Sequence, residues 1–185
     1  RNLLKRLKYP LAAPSANIST KISPVSKEDV REEFGKKIKF ILDGGSCKIG
    51  LESTIINLVN NVSILRLGGL DKRKLRKYIL KSKNLKKKQS KIVVPGQGKI
   101  HYSPNIPIRL NIRKPKKDEA FLLIQKRKKK NKNYFYLSKN KKFDEIGKNL
   151  YKTLRKIKRK GYMSIAVEKI PNIGIGETIN DRLIR

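Results

Sequence analysis

Three short stretches hold residues whose types and spacing point to chemistry. The first, PLAAPSANISTKISP (residues 10–24), sets Ser15, Asn17, Ser19 and Ser23 between three prolines. The prolines forbid a regular helix, and the small side chains let a ligand approach the backbone. Backbone N–H groups with short hydroxyl and amide side chains suit a nucleotide or phosphate; an ordinary turn would use the same residue types. The second, LESTIINL (residues 51–58), places Ser53 and Thr54 on a strand beside Glu52. They are either a polar patch lining a pocket or hydroxyls paired across strands. The third, ILRLGG (residues 64–69), puts Arg66 among apolar neighbours ahead of a Gly-Gly turn. An arginine there calls for an anionic partner; the residues alone leave open whether it is a carboxylate or a phosphate.

Other features carry less. His101 is the only histidine, so no multi-histidine metal site exists, and HYSP (residues 101–104) has no Ser/His/Asp context. Cys47 is the only cysteine, which excludes an internal disulfide and a multi-cysteine zinc site. Gly174-Ile175-Gly176 is part of a dinucleotide fingerprint, but the third glycine and the later acid are missing.

These residues need elements to hold them. Ser26 followed by Glu28-Asp29 predicts a helix over 27–34, ending at Gly35. Residues 37–43, KIKFILD, read as a strand. Residues 52–59 and 62–67 read as two strands joined by a tight Asn60-Asn61 turn. Asp71 starts a helix to about Leu80, and the basic stretch 81–91 reads as a linker. Farther on, 108–112, 120–125, 134–137 and 163–167 are strand-like, with a charged loop at 126–133. Ile146, Leu150, Leu154 and Ile157 mark a long helix over 144–160, and a last helix follows Gly174–Gly176 with Ile179, Leu183 and Ile184. Strand, helix, strand, helix predicts a small α/β domain with some parallel pairing.

The chain has 185 residues and a formal charge of +34, from 48 Lys and Arg against 14 Asp and Glu. That charge excludes an acid-rich metal-carboxylate protein and makes a polyanion the first partner to consider. Composition offers a second source. With 35 Lys, 23 Ile and 14 Asn against 5 Ala and 13 Arg, the excess follows A/T-rich codons. A dedicated phosphate surface favours Arg. No apolar run approaches the ~18 residues of a membrane span and no signal-peptide pattern is present, so a cytoplasmic protein without membrane contact is expected. The start at Arg1 reads as a fragment.

Taken in order, the motifs are more specific than any one of them. PLAAPSAN-x-S-x-x-x-SP, ILDGG-x-C-x-x-G-x-ESTI, LR-x-GG, PG followed by HYSP, and IAVE-x-IP with a later G-x-G and INDRL resemble the threonylcarbamoyl-AMP synthases of the YrdC type, in the long form with an extra C-terminal domain. The resemblance implies an incomplete YrdC-like α/β catalytic domain (1–80), a linker and lid loop (81–107), and a small Rossmann-like α/β C-terminal domain (108–185). It implies an enzyme, a nucleotidyltransferase acting on ATP, L-threonine and bicarbonate with Mg²⁺ on the triphosphate, serving tRNA modification. Tyr102 would belong to a loop closing over the nucleotide. Ala13 and Ser15 would contact the adenylate, Ser23 and Arg66 the phosphates, and Ser53 the threonine. The family's N-terminal ATP and threonine motifs are absent, so the fragment alone is expected to be inactive. Ser19-Thr20, Asn57 and Leu67 depart from the family's usual glycine, acid and proline. The alternative is a basic module that binds tRNA or double-stranded RNA without catalysis.

Overall fold

The structure is a computed structural model that describes residues 2–59, 62–79, 94–96, 102–128 and 131–185. A short helix α1 (Asn2–Arg6) opens it. Helix α2 (Lys27–Phe34) starts as expected: the Ser26 hydroxyl accepts from the Asp29 N–H at 3.4 Å, acids fill the first turn, and Gly35 ends it. The strand expected over 37–43 does not form. Residues 35–37 make a 3-10 turn, and 38–43 pair with no strand among the described residues. Ile38 is extended, but Phe40 and Leu42 are 86% and 77% exposed. The residues alternate as a strand's do; they lack a neighbour to supply the ladder.

Strands β1 (Ile55–Asn57) and β2 (Ser63–Arg66) form the expected antiparallel pair, with a register shift between Ile55 and Ile56, but they are shorter than 52–59 and 62–67, and Ser53 and Thr54 lie ahead of β1 rather than on it. The Asn60-Asn61 turn lies outside the described residues, as do the linker 81–91 and His101. Helix α3 (Lys72–Ile79) begins where Asp71 Oδ1 accepts the Arg73 N–H at 2.9 Å; Leu80 is outside the described residues.

The C-terminal part is one parallel sheet in the order β3-β6-β4-β5, from β3 (Ile108–Arg109), β4 (Ala120–Gln125), β5 (Tyr134–Ser138) and β6 (Ile165–Val167). β3 is shorter than expected because Asn111 turns into the left-handed region at φ 59°. Met163 stays outside β6 and is 81% exposed; pairing with β4 begins at Ser164, whose carbonyl accepts the Ala120 N–H. β4 is buried on both faces, as a parallel strand should be.

Helix α4 (Phe143–Arg159) and helix α5 (Ile175–Ile184) pack on the same face of this sheet. Ile146, Leu150, Leu154 and Ile157 of α4 are at most 2% exposed, each contributing about 1.5–3 kcal/mol of burial. Ile179 and Leu183 join them, whereas Ile184 is exposed. Ile22, Val25 and Tyr102 belong to the same apolar cluster. The opposite face carries a smaller cluster of Phe121, Leu123 and Ala166. The molecule is thus α/β, with Ile22 and Val25 of the loop ahead of α2 in the core and with Glu52, Leu67 and Gly68, which flank the β1–β2 pair, bonded to α4 and α5.

Candidate functional site

Two arginines near the end of α4 anchor the loop side of the site. Arg155 gives an N–H to the Ile22 carbonyl at 2.6 Å and pairs with Glu33 at 3.4 Å. Arg159 pairs with Asp29 at 2.7 Å and with Glu32 at 2.5 Å. Both hold α2, and with it residues 22–26, against the C-terminal sheet.

The loop itself is set by Asn17, whose amide donates to the Ile18 and Lys21 carbonyls at 3.0 and 3.2 Å. Thr20 then turns at φ 72°, and its carbonyl accepts the Ser103 N–H at 2.9 Å. Ser15 and Ser23 line one crevice of about 430 Å³, together with Lys27, Gly45, Glu52 and Tyr151. Ala13 is exposed and lines neither this crevice nor the arginine cluster described next.

Arg66 gathers three other segments. Its Nε and Nη2 donate to the Ser53 carbonyl at 3.1 and 3.0 Å, Nη2 also reaches the Ser53 hydroxyl at 3.2 Å, and Nη1 donates to the Pro95 carbonyl at 3.1 Å. Gly96 follows at φ 88°; a Cβ there would lie 2.1 Å from the Tyr102 hydroxyl and 3.1 Å from Arg66 Cδ. Only glycine fits. Arg66, Ser53, Pro95-Gly96 and Tyr102 therefore meet, although they lie in four separate stretches of the chain.

Tyr102 is 2% exposed and takes φ 62°. Its ring lies 4.4 Å under the Arg182 guanidinium and stacks at 6.1 Å on Tyr151. Burial first, and the Glu52 charge second, push both the Tyr102 and the Tyr151 phenols up from the ordinary tyrosine range. Both are neutral hydroxyls at physiological pH.

Glu52 joins the two halves of the site. It accepts from the Ser23 hydroxyl at 2.7 Å, from the Tyr151 hydroxyl at 3.0 Å and from Arg182 Nε at 3.0 Å. Arg182 also donates to the Leu67 carbonyl at 2.5 Å, and Thr178 to the Gly68 carbonyl at 3.0 Å. Arg66, by contrast, makes no ion pair among the described residues; neutral carbonyls orient it and leave its charge uncompensated. A guanidinium so held is ready for an anion.

The sequence brought out Ala13, Ser15, Ser23, Ser53, Arg66 and Tyr102, and the structure brings all but Ala13 into two adjoining clusters. The sequence did not bring out the part played by Glu52, Tyr151 and Arg182. Arg182, a charged residue between Ile179 and Leu183 on an apolar helix, was the available signal.

Among the described residues no group of three or more His, Cys, Asp or Glu could hold a metal ion. No helix among them is long and apolar enough to cross a membrane.

Comparison with known proteins adds the following. Residues 70–185 match the family model described as the threonylcarbamoyl-AMP synthase C-terminal domain. Residues 1–68 match the Sua5/YciO/YrdC model, described as telomere recombination. A threonylcarbamoyl-AMP synthase of Pyrococcus abyssi is 34% identical over 98% of this chain. One of Bacillus subtilis is 28% identical over 99% of it. The chain spans 58% of the length of each of these relatives. The crystal structure of P. abyssi Sua5 complexed with L-threonine superposes with a TM-score of 0.75 at 31% identity, covering 92% of this chain and 56% of that one.

Proposed function

Because the chain belongs to the threonylcarbamoyl-AMP synthase family, carrying that family's C-terminal domain, we propose that the whole protein forms threonylcarbamoyl-AMP for tRNA modification. In this reading it is a nucleotidyltransferase of the cytoplasm. The threonine amine combines with bicarbonate to give a carbamate and water. A carbamate oxygen attacks the α-phosphorus of ATP in line, the bond to the β-phosphate oxygen breaks, and pyrophosphate leaves. Such a reaction depends on positioning and on charge stabilisation more than on an acid–base pair.

The observation that carries the reading is the state of Arg66. Its three nitrogens are fixed by carbonyls of Ser53 and Pro95, with no carboxylate to neutralise them among the described residues. Negative charge developing on the α-phosphate is the partner this arrangement favours. That supports phosphate over the carboxylate that the sequence left open. In this reading Ser53, whose hydroxyl Arg66 reaches at 3.2 Å, meets the threonyl part, and Ala13 and Ser15 contact the adenylate. Ser23 gives its only proton to Glu52, so contact with a phosphate requires that bond to exchange. In this reading Tyr102, which sits under Arg182 and next to Gly96, belongs to a loop that closes over the nucleotide and excludes water from a hydrolysable mixed anhydride. Among the described residues no group of three or more His, Cys, Asp or Glu could hold the ion by itself; Mg²⁺ in this proposal is carried by the substrate triphosphate, and no step is routed through it.

The test is pyrophosphate release from ATP. It is measured on the 185-residue chain and on a chimera that adds the stretch of the B. subtilis relative this chain does not span. Release by the chimera that requires both threonine and bicarbonate supports the proposal; threonine-independent turnover, or none, overturns it. RNA affinity that falls steeply with salt, with no synthesis, would favour the non-catalytic RNA-binding alternative.

A further inference from the structure

The parallel sheet has a second crevice that the proposed reaction does not use. β4 and β6 are neighbours, and the residues just past them, Lys126 and Arg127 after β4 and Glu168 and Lys169 after β6, line one crevice. Arg127, just past β4, lies 5.6 Å from the Phe121 ring on the smaller-cluster face. β6 runs on to α5, whose Ile175, Ile179 and Leu183 sit in the main core on the other. The crevice lies beyond the carboxyl ends of these parallel strands, the end at which open α/β sheets bind ligands. In this chain that crevice encloses about 590 Å³, within the range of small-molecule sites.

Its lining divides by chemistry. Ile112, Ile124 and Pro171 supply an apolar wall. Glu168 is the one carboxylate in the lining, and it is already satisfied: it accepts the Ile124 N–H at 3.1 Å and pairs with Arg127 at 2.5 Å. Arg113, Lys126, Lys141 and Lys169 also line the crevice, and none of them pairs with a carboxylate among the described residues. One further observation concerns the rim. Lys141 takes left-handed backbone at φ 60°, a conformation that costs about 1 kcal/mol or more at a lysine, while Asn111 turns at φ 59° as asparagine readily does. Four cations without a carboxylate partner among the described residues, one apolar wall and a left-handed Lys141 share one space.

We propose that this crevice binds a phosphate-bearing small molecule of about mononucleotide size, its phosphate held by Arg113, Lys126, Lys141 and Lys169 and its apolar part lying against Ile112, Ile124 and Pro171. The site shares no lining residue with the crevice that contains Ser15 and Ser23, so it stands apart from the proposed synthase site. A bounded crevice at a sheet edge suits a compact ligand; a single-stranded polyanion needs an extended basic track with stacking aromatics.

Hydrogen exchange on the full chain tests it, with millimolar AMP, ATP, inorganic pyrophosphate and inorganic phosphate, and with tRNA, as separate probes. Slowed exchange in 111–113, 124–127 and 168–171 with AMP or ATP is the expected result. Protection by pyrophosphate or inorganic phosphate alone, equal to that by AMP, would overturn the mononucleotide assignment. In the triple variant R113A/K126A/K169A, all at exposed positions, the AMP affinity read from that protection should fall at least about a hundredfold. No protection at these segments with any probe, or protection unchanged in the triple variant, overturns the proposal. So does protection there by tRNA but by none of the small probes. Protection at residues 15–26, 52–53 and 66 reports separately on the proposed synthase site, so the two readings fail independently.

Discussion

Arg182 donates to Glu52 at 3.0 Å across 130 residues of sequence, and both atoms lie at the seam between the two family-matched parts of the chain. The Arg182 side chain is 1% exposed and that of Glu52 12%. A charge pair this enclosed is retained only when its remaining donors and acceptors are also met. Here Ser23 and Tyr151 complete Glu52, while the Leu67 carbonyl and Asp181 complete Arg182. The seam therefore depends on the pair as a unit.

Arg182→Ala should cost about 3–5 kcal/mol of stability, because it strands Glu52 and removes the cation above the Tyr102 ring. Urea denaturation measures it. A double-mutant cycle with Glu52→Gln should show coupling well above about 0.5 kcal/mol; additive losses would mean the pair acts independently.

Leu154→Ala opens a cavity in the cluster that Ile22, Val25 and Tyr102 share with the C-terminal sheet. The expected cost is about 2–5 kcal/mol. Hydrogen exchange should quicken in residues 22–25 as well as in 120–137. An effect confined to the C-terminal sheet would show that the shared core is not energetically shared.

Gly96→Ala places a methyl group against the Tyr102 hydroxyl in a backbone conformation that alanine resists. Stability should fall by about 1–2 kcal/mol. Because Arg66 Cδ is also within reach of that methyl, the loss of pyrophosphate release by the chimera should be larger in proportion than the loss of stability. Equal losses would point to misfolding alone.

Glu119 supplies a pH dependence. Hydrogen bonds from Arg109, at 2.9 and 2.7 Å, and from the Lys116 N–H hold its carboxyl at about 2 against an ordinary 4.5. A carboxyl depressed in the folded state contributes stability that is fully present above about pH 4.5 and is lost as the pH falls toward 2. Thermal melts across that window should show the loss in the parent chain and a flatter profile in Glu119→Gln.

How much of this the sequence disclosed depended on how local the cause was. The Ser26 cap, the α4 stripe from Ile146 to Ile157 and the β1–β2 pair are each set by neighbours within a few residues, and they are where the spacing predicts. KIKFILD has a strand's alternation, but strand formation also needs an edge to pair with, which a run of seven residues cannot announce. The site divides the same way. Ser15, Ser23, Ser53, Arg66 and Tyr102 stand in short stretches of unusual composition and so drew notice. Glu52, Tyr151 and Arg182 function through partners 29, 99 and 130 residues away, and no spacing rule reaches that far. The charge of +34 pointed to a polyanion, yet Arg66 is the one cation given a ligand in the proposed synthase site; Lys27, which lines the adjoining crevice, pairs with Asp43. Arg182 serves the seam, and the four unpaired cations of the second crevice were not distinguishable from the general lysine excess.

The central claim is that the charge of Arg66, held by Ser53 and Pro95, stabilises the α-phosphate when threonylcarbamoyl-AMP forms. Its most direct test is threonine- and bicarbonate-dependent pyrophosphate release by the chimera carrying Arg66→Ala or Arg66→Lys, with RNA binding measured alongside. The account predicts a loss of about 10²–10³-fold in kcat for Arg66→Ala. Lysine should give little rescue, since one ammonium cannot hold both carbonyls and still face a phosphate, and RNA binding should be nearly unchanged. Undiminished synthesis by Arg66→Ala in a folded protein would contradict it.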